Sequence, residues 1–319
     1  MLVAIVGSGS IAKRYKSILE KSFESYPVLI SDYLISNGTD LVLRRNQVAN
    51  SIYPAGHFDL LIIASENKKH LSDYLHFNHI AKKILFEKPL FYRNLSKEEI
   101  EKLMKREADI SISSPLRFHE SFIELTKSLK TVGEISNIES RCQSWLPDWR
   151  PGRNFREGFW NDSIQGGILR EIVHELDYLL SIFGQLSPVY AYRSFSEFLS
   201  LNVESSIDIL LKEKKNNLVN VHLDFSSAVA RRYFRIDGSE GSVKWDVLKG
   251  ELSLISTQGK DVTRTFYNDL DRDLTFKRQL EFVFGNNNWP IPATSLKEGL
   301  VALQLIDDLY LLANGENKS

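Results

Sequence analysis

The opening residues constrain the fold more than any other stretch. Leu2-Val3-Ala4-Ile5-Val6 is an apolar run that breaks directly into Gly7-Ser8-Gly9-Ser10-Ile11-Ala12. A buried strand that turns on glycines into a helix is how a doubly wound sheet holds a dinucleotide pyrophosphate. Gly7 permits the tight turn, Gly9 lets backbone approach phosphate, and Ala12 is small enough to seat the helix on the strand. The helix start at Ser10 and Ile11 then offers unpaired N–H groups and a partial positive charge to an anion. A helix pattern from Lys13 to about Lys21 completes the context. Pro27-Val28-Leu29-Ile30-Ser31 reads as the second strand, with Asp32 at its end. A carboxylate there accepts the adenosine ribose hydroxyls and repels a 2′-phosphate, which favours NAD. The alternative is a solvated turn residue. Arg44 and Arg45 could instead serve a phosphate, leaving NADP open.

Strand and helix signals alternate through the first third. Asp59 to Ala64, Lys83 to Phe86 and Asp109 to Ser113 read as strands, and Ser96-Lys97-Glu98-Glu99 as a capping box that opens a helix. This alternation predicts a Rossmann-type, doubly wound parallel sheet over residues 1–115. Residues 116–319 change character. Helices are expected from Glu120 to Leu129 and from Ile168 to Phe183, and strand runs crowd the stretch from Val189 to Tyr267. A second capping box at Ser295-Leu296-Lys297-Glu298 opens a final helix. The fold class is therefore α/β, with a second domain built on a large, open, mostly antiparallel sheet.

Composition narrows the function. The 319 residues carry 40 basic and 41 acidic side chains, which argues against a broad nucleic-acid surface. The lone Cys142 rules out an internal disulfide and is expected to be a buried core residue. No apolar stretch is long enough to span a bilayer, and the first strand begins at once, so a cytoplasmic protein without membrane association is expected.

Ligands of doubly wound sheets bind beyond the carboxyl ends of the strands. Two loops stand there: Ser65-Glu66-Asn67-Lys68-Lys69-His70 and Glu87-Lys88-Pro89-Leu90. A lysine against a nicotinamide could hydrogen-bond a substrate oxygen and help move its proton. Taken alone, Glu87 and Lys88 read first as a solvated turn pair. On the long helix, Glu171, His174 and Asp177 recur at spacing three with Glu175 and Tyr178 beside them. A histidine flanked by carboxylates is a general acid–base unit, and a satisfied core histidine is the alternative. A Glu-x-x-His metal pair is a weaker reading, because no second motif supplies further ligands, and no metal is expected.

The ordered set resembles the Gfo/Idh/MocA oxidoreductases: the Gly7 loop, Ile62 to His70, Glu87-Lys88-Pro89-Leu90, and Gly166-Gly167 leading to His174-Glu175-Leu176-Asp177-Tyr178. Val221 to Phe225 and Gly238 to Asp246 extend the resemblance over nearly the whole chain. It implies a nucleotide domain, a C-terminal α/β domain with the active site between them, and catalytic Lys88 and His174. It implies coenzyme contacts from Ser65, Asn67, His70, Glu87 and Lys88, and a Lys88–Pro89 bond that is often cis. Two departures stand out. Glu66 occupies the place of a proline, and Arg170 stands where many members carry an aspartate four residues before the histidine, leaving Glu171 or Asp177 to serve it.

The segment Trp145-Leu146-Pro147-Asp148-Trp149-Arg150-Pro151-Gly152-Arg153-Asn154-Phe155-Arg156 joins indole faces, which suit sugars, to arginine forks, which suit phosphate or carboxylate. Trp149, Arg150, Arg153, His174 and Arg117 are the substrate-binding candidates, and an anionic sugar is the expected substrate class. A surface loop with packed aromatics is the alternative. The segment looks most like family members associated with cell-surface polysaccharide and sugar-nucleotide biosynthesis. The expectation is hydride transfer between NAD and a sugar carbinol, in a homodimer or homotetramer formed through the C-terminal sheet. An NAD-recycling hydrolase or epimerase, a non-catalytic sugar or nucleotide sensor, and a structural subunit are the rival readings.

Overall fold

The structure is a computed structural model that describes residues 1–23, 25, 28–31, 42–44, 53–257, 259, 261–286 and 288–315. Asp32 and Arg45 lie outside these residues, and of Arg44 only the backbone is described. The chain divides into two compact units, residues 1–118 with 272–300 and residues 119–271 with 301–319.

In the first unit, β1 (Val3–Val6) is buried at all four positions. It feeds α1 (Ser10–Phe23), which buries Ala12, Tyr15, Ile18 and Leu19 on one stripe. Then come β2 (Val28–Ser31), β3 (Val42–Arg44), β4 (Phe58–Ile63), α2 (His70–Phe77), β5 (Ala81–Phe86), α3 (Lys97–Met104) and β6 (Ile110–Ile112). The capping box of α3 is complete: Ser96 Oγ accepts from Glu99 N–H and the Glu99 carboxylate accepts from Ser96 N–H. These six strands pair in parallel in the order β6-β5-β4-β1-β2-β3. The strand order reverses between β1 and β4, which places a topological switch point beside the glycine turn.

The second unit opens with α4 (Glu120–Ser128), β7 (Ile135–Trp145), α5 (Ile168–Glu171) and α6 (Val173–Phe183). Strands β8 (Ser187–Ser194), β9 (Ser206–Lys212), β10 (Leu218–Asp224), β11 (Ser226–Gly238), β12 (Gly241–Asp246), β13 (Glu251–Ser256) and β14 (Val262–Thr265) follow. With β7 they form one sheet, ordered β14-β13-β12-β11-β7-β10-β9-β8. Its pairings are antiparallel except β7 with β10. Alternate residues such as Ile207, Ile209 and Leu211 or Val219, Val221 and Leu223 are buried, as one covered face requires. Trp245 is fully buried against Phe122 and Tyr178, and its indole N–H donates to Ser121 Oγ at 2.8 Å.

The chain then returns to the first unit, whereas a single second domain over 116–319 was expected. Helix α7 (Arg272–Val283) buries Phe276, Leu280 and Val283 in the same core cluster as Tyr15, Ile18 and Leu19. Strand β15 (Thr294–Ser295) adds an antiparallel edge to β6. Helix α8 (Leu296–Ala313) has its first residues in the first unit and continues in the second. The apolar positions of α7 are separated by Lys277, Arg278 and Glu281, so its local pattern is weak. Tertiary packing, not amphipathicity, defines it.

Candidate active site

The glycine turn is built as its residue types demand. Gly7 has φ +126°, and its N–H donates to Ile30 O at 3.0 Å. A Cβ at Gly7 would lie 2.4 Å from Ala64 O, so the backbone just past β4 forbids any side chain there. A Cβ at Gly9 would meet nothing within 4 Å, so Gly9 faces open space. The Gly9 carbonyl accepts from Lys13 N–H at 3.1 Å, which makes Gly9 the N-cap of α1. No acidic side chain occupies the first turn, leaving the N–H groups of Ser10 and Ile11 and the helix dipole to an incoming anion. A constrained turn beside an open cap fits a pyrophosphate.

The other two loops leave the carboxyl ends of neighbouring parallel strands. Glu66 has φ −64° and ψ 139°, the conformation a proline would impose, so the backbone path survives the exchange. Asn67 is buried, and Ser65 Oγ donates to the buried Asp73 carboxylate at 2.5 Å. His70 is 1% exposed; its Nδ1 lies 2.9 Å from Leu90 O and its Nε2 3.0 Å from Ser65 O, so one ring touches both loops. Burial pushes its pKa below the usual histidine value. Glu87 is also buried, and burial raises its carboxyl pKa. Its Oε1 accepts from Tyr15 O–H at 2.7 Å and its Oε2 from Lys88 N–H at 3.3 Å. Lys88 is half-buried, and the Lys88–Pro89 bond is cis, as expected.

In the second unit the expected single helix is two. The ladder breaks at Ile172 (φ −105°, ψ 33°), separating α5 from α6. The even spacing of three across Glu171 and His174 is therefore not that of a continuous helix, whereas His174 and Asp177 remain one turn apart on α6. His174 is half-buried, and every other residue from Glu171 to Leu180 is buried. Glu175 points elsewhere: it is fully buried and clamps the Arg232 guanidinium at 2.6 and 3.1 Å. Tyr178 O–H meets Ser140 Oγ at 2.6 Å in the core. Arg170 packs over Tyr310 and pairs with Asp307 at 3.5 Å, a tie to α8 that accounts for its presence in place of an acid. Gly167 (φ +99°) is fixed as glycine, because a Cβ would sit 2.3 Å from Tyr310 O–H.

The Arg- and Trp-rich segment is ordered by its own aromatics. Arg150 lies over the Trp160 ring at 4.5 Å, and partial burial lowers its pKa against the opposing charge of Glu171. Trp149 is partly exposed and donates to Ser144 Oγ at 2.8 Å, and Arg153 is exposed. Trp145 stacks on the exposed Phe198. Arg117 differs from expectation. It is 1% exposed, and its guanidinium is held by Glu298 at 2.8 Å beside the second capping box, a packing strut of the first unit rather than an open ligand contact. Among the described residues no group of three or more His, Cys, Asp or Glu side chains is arranged to hold a metal ion. No helix of the described residues is long and apolar enough to cross a membrane.

Residues 128–244 match the GFO/IDH/MocA C-terminal domain. No curated protein matches the chain. Among solved structures, an inositol dehydrogenase homolog complexed with NAD+ from Azotobacter vinelandii superposes with TM-score 0.77 at 14% identity, covering 99% of this chain and 95% of the other. The WlbA dehydrogenase from Bordetella pertussis, in complex with NADH and UDP-GlcNAcA, gives 0.75 at 15% identity over 99% and 96%. A myo-inositol dehydrogenase from Corynebacterium glutamicum gives 0.73 at 16% identity over 99% and 97%. At these identities the likeness establishes the shared fold.

Proposed function

We propose that the chain is a Gfo/Idh/MocA oxidoreductase that transfers a hydride between NAD and a hydroxyl or keto carbon of an anionic sugar derivative. The observation that carries this reading is the glycine turn, closed to any side chain at Gly7 and open at Gly9, set at the switch point of the parallel sheet. The domain match over 128–244 and the NAD- or NADH-bound neighbours of the same fold support it. When bound, NAD supplies the hydride acceptor. Gly7, Gly9, Ser10 and Ile11 hold its pyrophosphate, Asp32 selects it over NADP, and the Ser65 and Asn67 loop lines its nicotinamide half. Lys88 hydrogen-bonds the substrate oxygen and favours its alkoxide character. His174 exchanges the hydroxyl proton, and the carboxylate of Glu171 or of Asp177 orients the ring and stabilises its cation. Arg150 and Arg153 meet the substrate's anionic group, and Trp149 meets its sugar face.

The UDP-GlcNAcA in the WlbA complex makes nucleotide sugars the first substrates to screen, followed by sugar phosphates and sugar acids. NADH absorbance then reports turnover. Lys88→Ala is expected to keep NAD binding and lose turnover; a Lys88→Ala protein that still turns over sinks the assignment. A homo-oligomer forms through the eight-stranded sheet, whose uncovered side carries exposed Tyr190, Tyr192 and Leu218. A monomer mass in gel filtration at micromolar concentration would contradict that part.

A further inference from the structure

The geometry points to Glu87 and His70 as positioning residues that pin the Lys88 turn from both ends, rather than as coenzyme contacts. This inference rests on the role given to Lys88 above. On the N-terminal side, the Glu87 carboxylate spans from the Lys88 N–H to Tyr15 O–H. That hydroxyl is held in turn by Ser113 Oγ at 3.1 Å and by the Gln279 side-chain amide at 3.2 Å, while Gln279 Oε1 accepts from Ser114 N–H at 2.6 Å. One carboxylate thus ties the ends of β5 and β6 to α1, the helix that starts at the glycine turn, and to α7. On the C-terminal side, the buried His70 ring stands between Leu90 O, 2.9 Å from its Nδ1, and Ser65 O, 3.0 Å from its Nε2, and packs the far end of the turn against the neighbouring loop. Both side chains are buried and their polar atoms face protein groups, whereas Lys88 between them keeps contact with solvent. The physical gain is preorganisation. An ammonium on a flexible four-carbon stem works at a reacting oxygen only if its backbone is fixed, and a misplacement of about 1 Å can cost about 100-fold in rate.

The arrangement separates geometry from charge. A glutamine at position 87 keeps both links, with its oxygen accepting from Lys88 N–H and its amide donating to Tyr15 Oη, which turns its own proton to Ser113. An alanine keeps neither. The test uses reductively 13C-methylated full-length protein, with the Lys88 resonance assigned by its absence in Lys88→Arg, and NAD as the titrant. In wild type and Glu87→Gln, the Lys88 signal is expected apart from those of solvent lysines and to shift on NAD addition. In Glu87→Ala and His70→Ala it is expected to collapse onto the solvent-lysine position, with NAD affinity by calorimetry kept within about threefold. Should Glu87→Ala fail to fold, Tyr15→Phe loosens the same anchor from its far end and is expected to move the signal part of the way. A wild-type Lys88 signal in both alanine variants overturns the proposal, as does a Glu87→Gln protein indistinguishable from Glu87→Ala. A loss of NAD affinity above about tenfold with the signal unmoved would make these residues coenzyme contacts instead. Absence of NAD binding to wild type would sink the functional reading, and the free-protein signals would still decide the pinning.

Discussion

Gly7 and Gly9 stand two residues apart, yet one added methyl should act on them in opposite ways. At Gly7, a φ of +126° costs an alanine about 1–3 kcal/mol. The methyl carbon would also lie 2.4 Å from Ala64 O and 2.7 Å from Ala64 C, backbone atoms that cannot swing aside. Together these place Gly7→Ala at about 3 kcal/mol or more of destabilisation, a drop of about 6–12 °C in the melting of the first unit. At Gly9 the backbone lies outside the left-handed region and the added carbon meets nothing within 4 Å. Loss of the glycine N-cap costs up to about 1 kcal/mol, and the stiffer unfolded chain returns about 0.4–1 kcal/mol. Gly9→Ala should therefore melt within about 2–4 °C of wild type. The same methyl fills the space through which a phosphate approaches the helix start, so NAD affinity should fall about 10- to 100-fold, or about 1.4–2.8 kcal/mol. Thermal melts by circular dichroism and calorimetric titration with NAD read the two effects separately. A Gly7→Ala protein as stable as wild type would refute the packing argument. A Gly9→Ala protein with unchanged NAD affinity would refute the route assigned to the coenzyme.

Two further outcomes follow from the second unit. Glu175→Ala leaves the Arg232 guanidinium without its buried carboxylate and should cost about 3 kcal/mol, the low end for a broken buried pair because Arg232 keeps some solvent contact; the urea midpoint checks it. Burial, and then the nearby Glu175 charge, push the Cys142 thiol up to about 12, so it should resist a thiol reagent at pH 8 until the chain unfolds. Its folded pKa lies above the unfolded value of about 8.5, so its contribution to stability is whole below pH 8.5 and is lost as pH rises from there toward 12. Prompt reaction of native Cys142 at pH 8 would contradict the burial.

What could be read in advance was local. The strand into Gly7, both capping boxes and the Lys88-Pro89 turn are written in adjacent residues, and each has its expected form in the structure. The break at Ile172 was not legible, because neither glycine nor proline marks it. Helix α7 was hidden by charges between its apolar positions, and its place in the first unit depends on Tyr15 and Leu19 far earlier in the chain. Residue types alone also misdirected one assignment: Arg117 looks like an anion fork until Glu298 is found against it. The deciding neighbour is distant in sequence, and no local pattern encodes it.

The central claim is that the N-terminal sheet binds a nicotinamide dinucleotide at its glycine turn. Calorimetric titration of the full chain with NAD and, separately, NADP tests it most directly. The account predicts one saturable site per chain that prefers NAD; heats no larger than dilution for both coenzymes would contradict it.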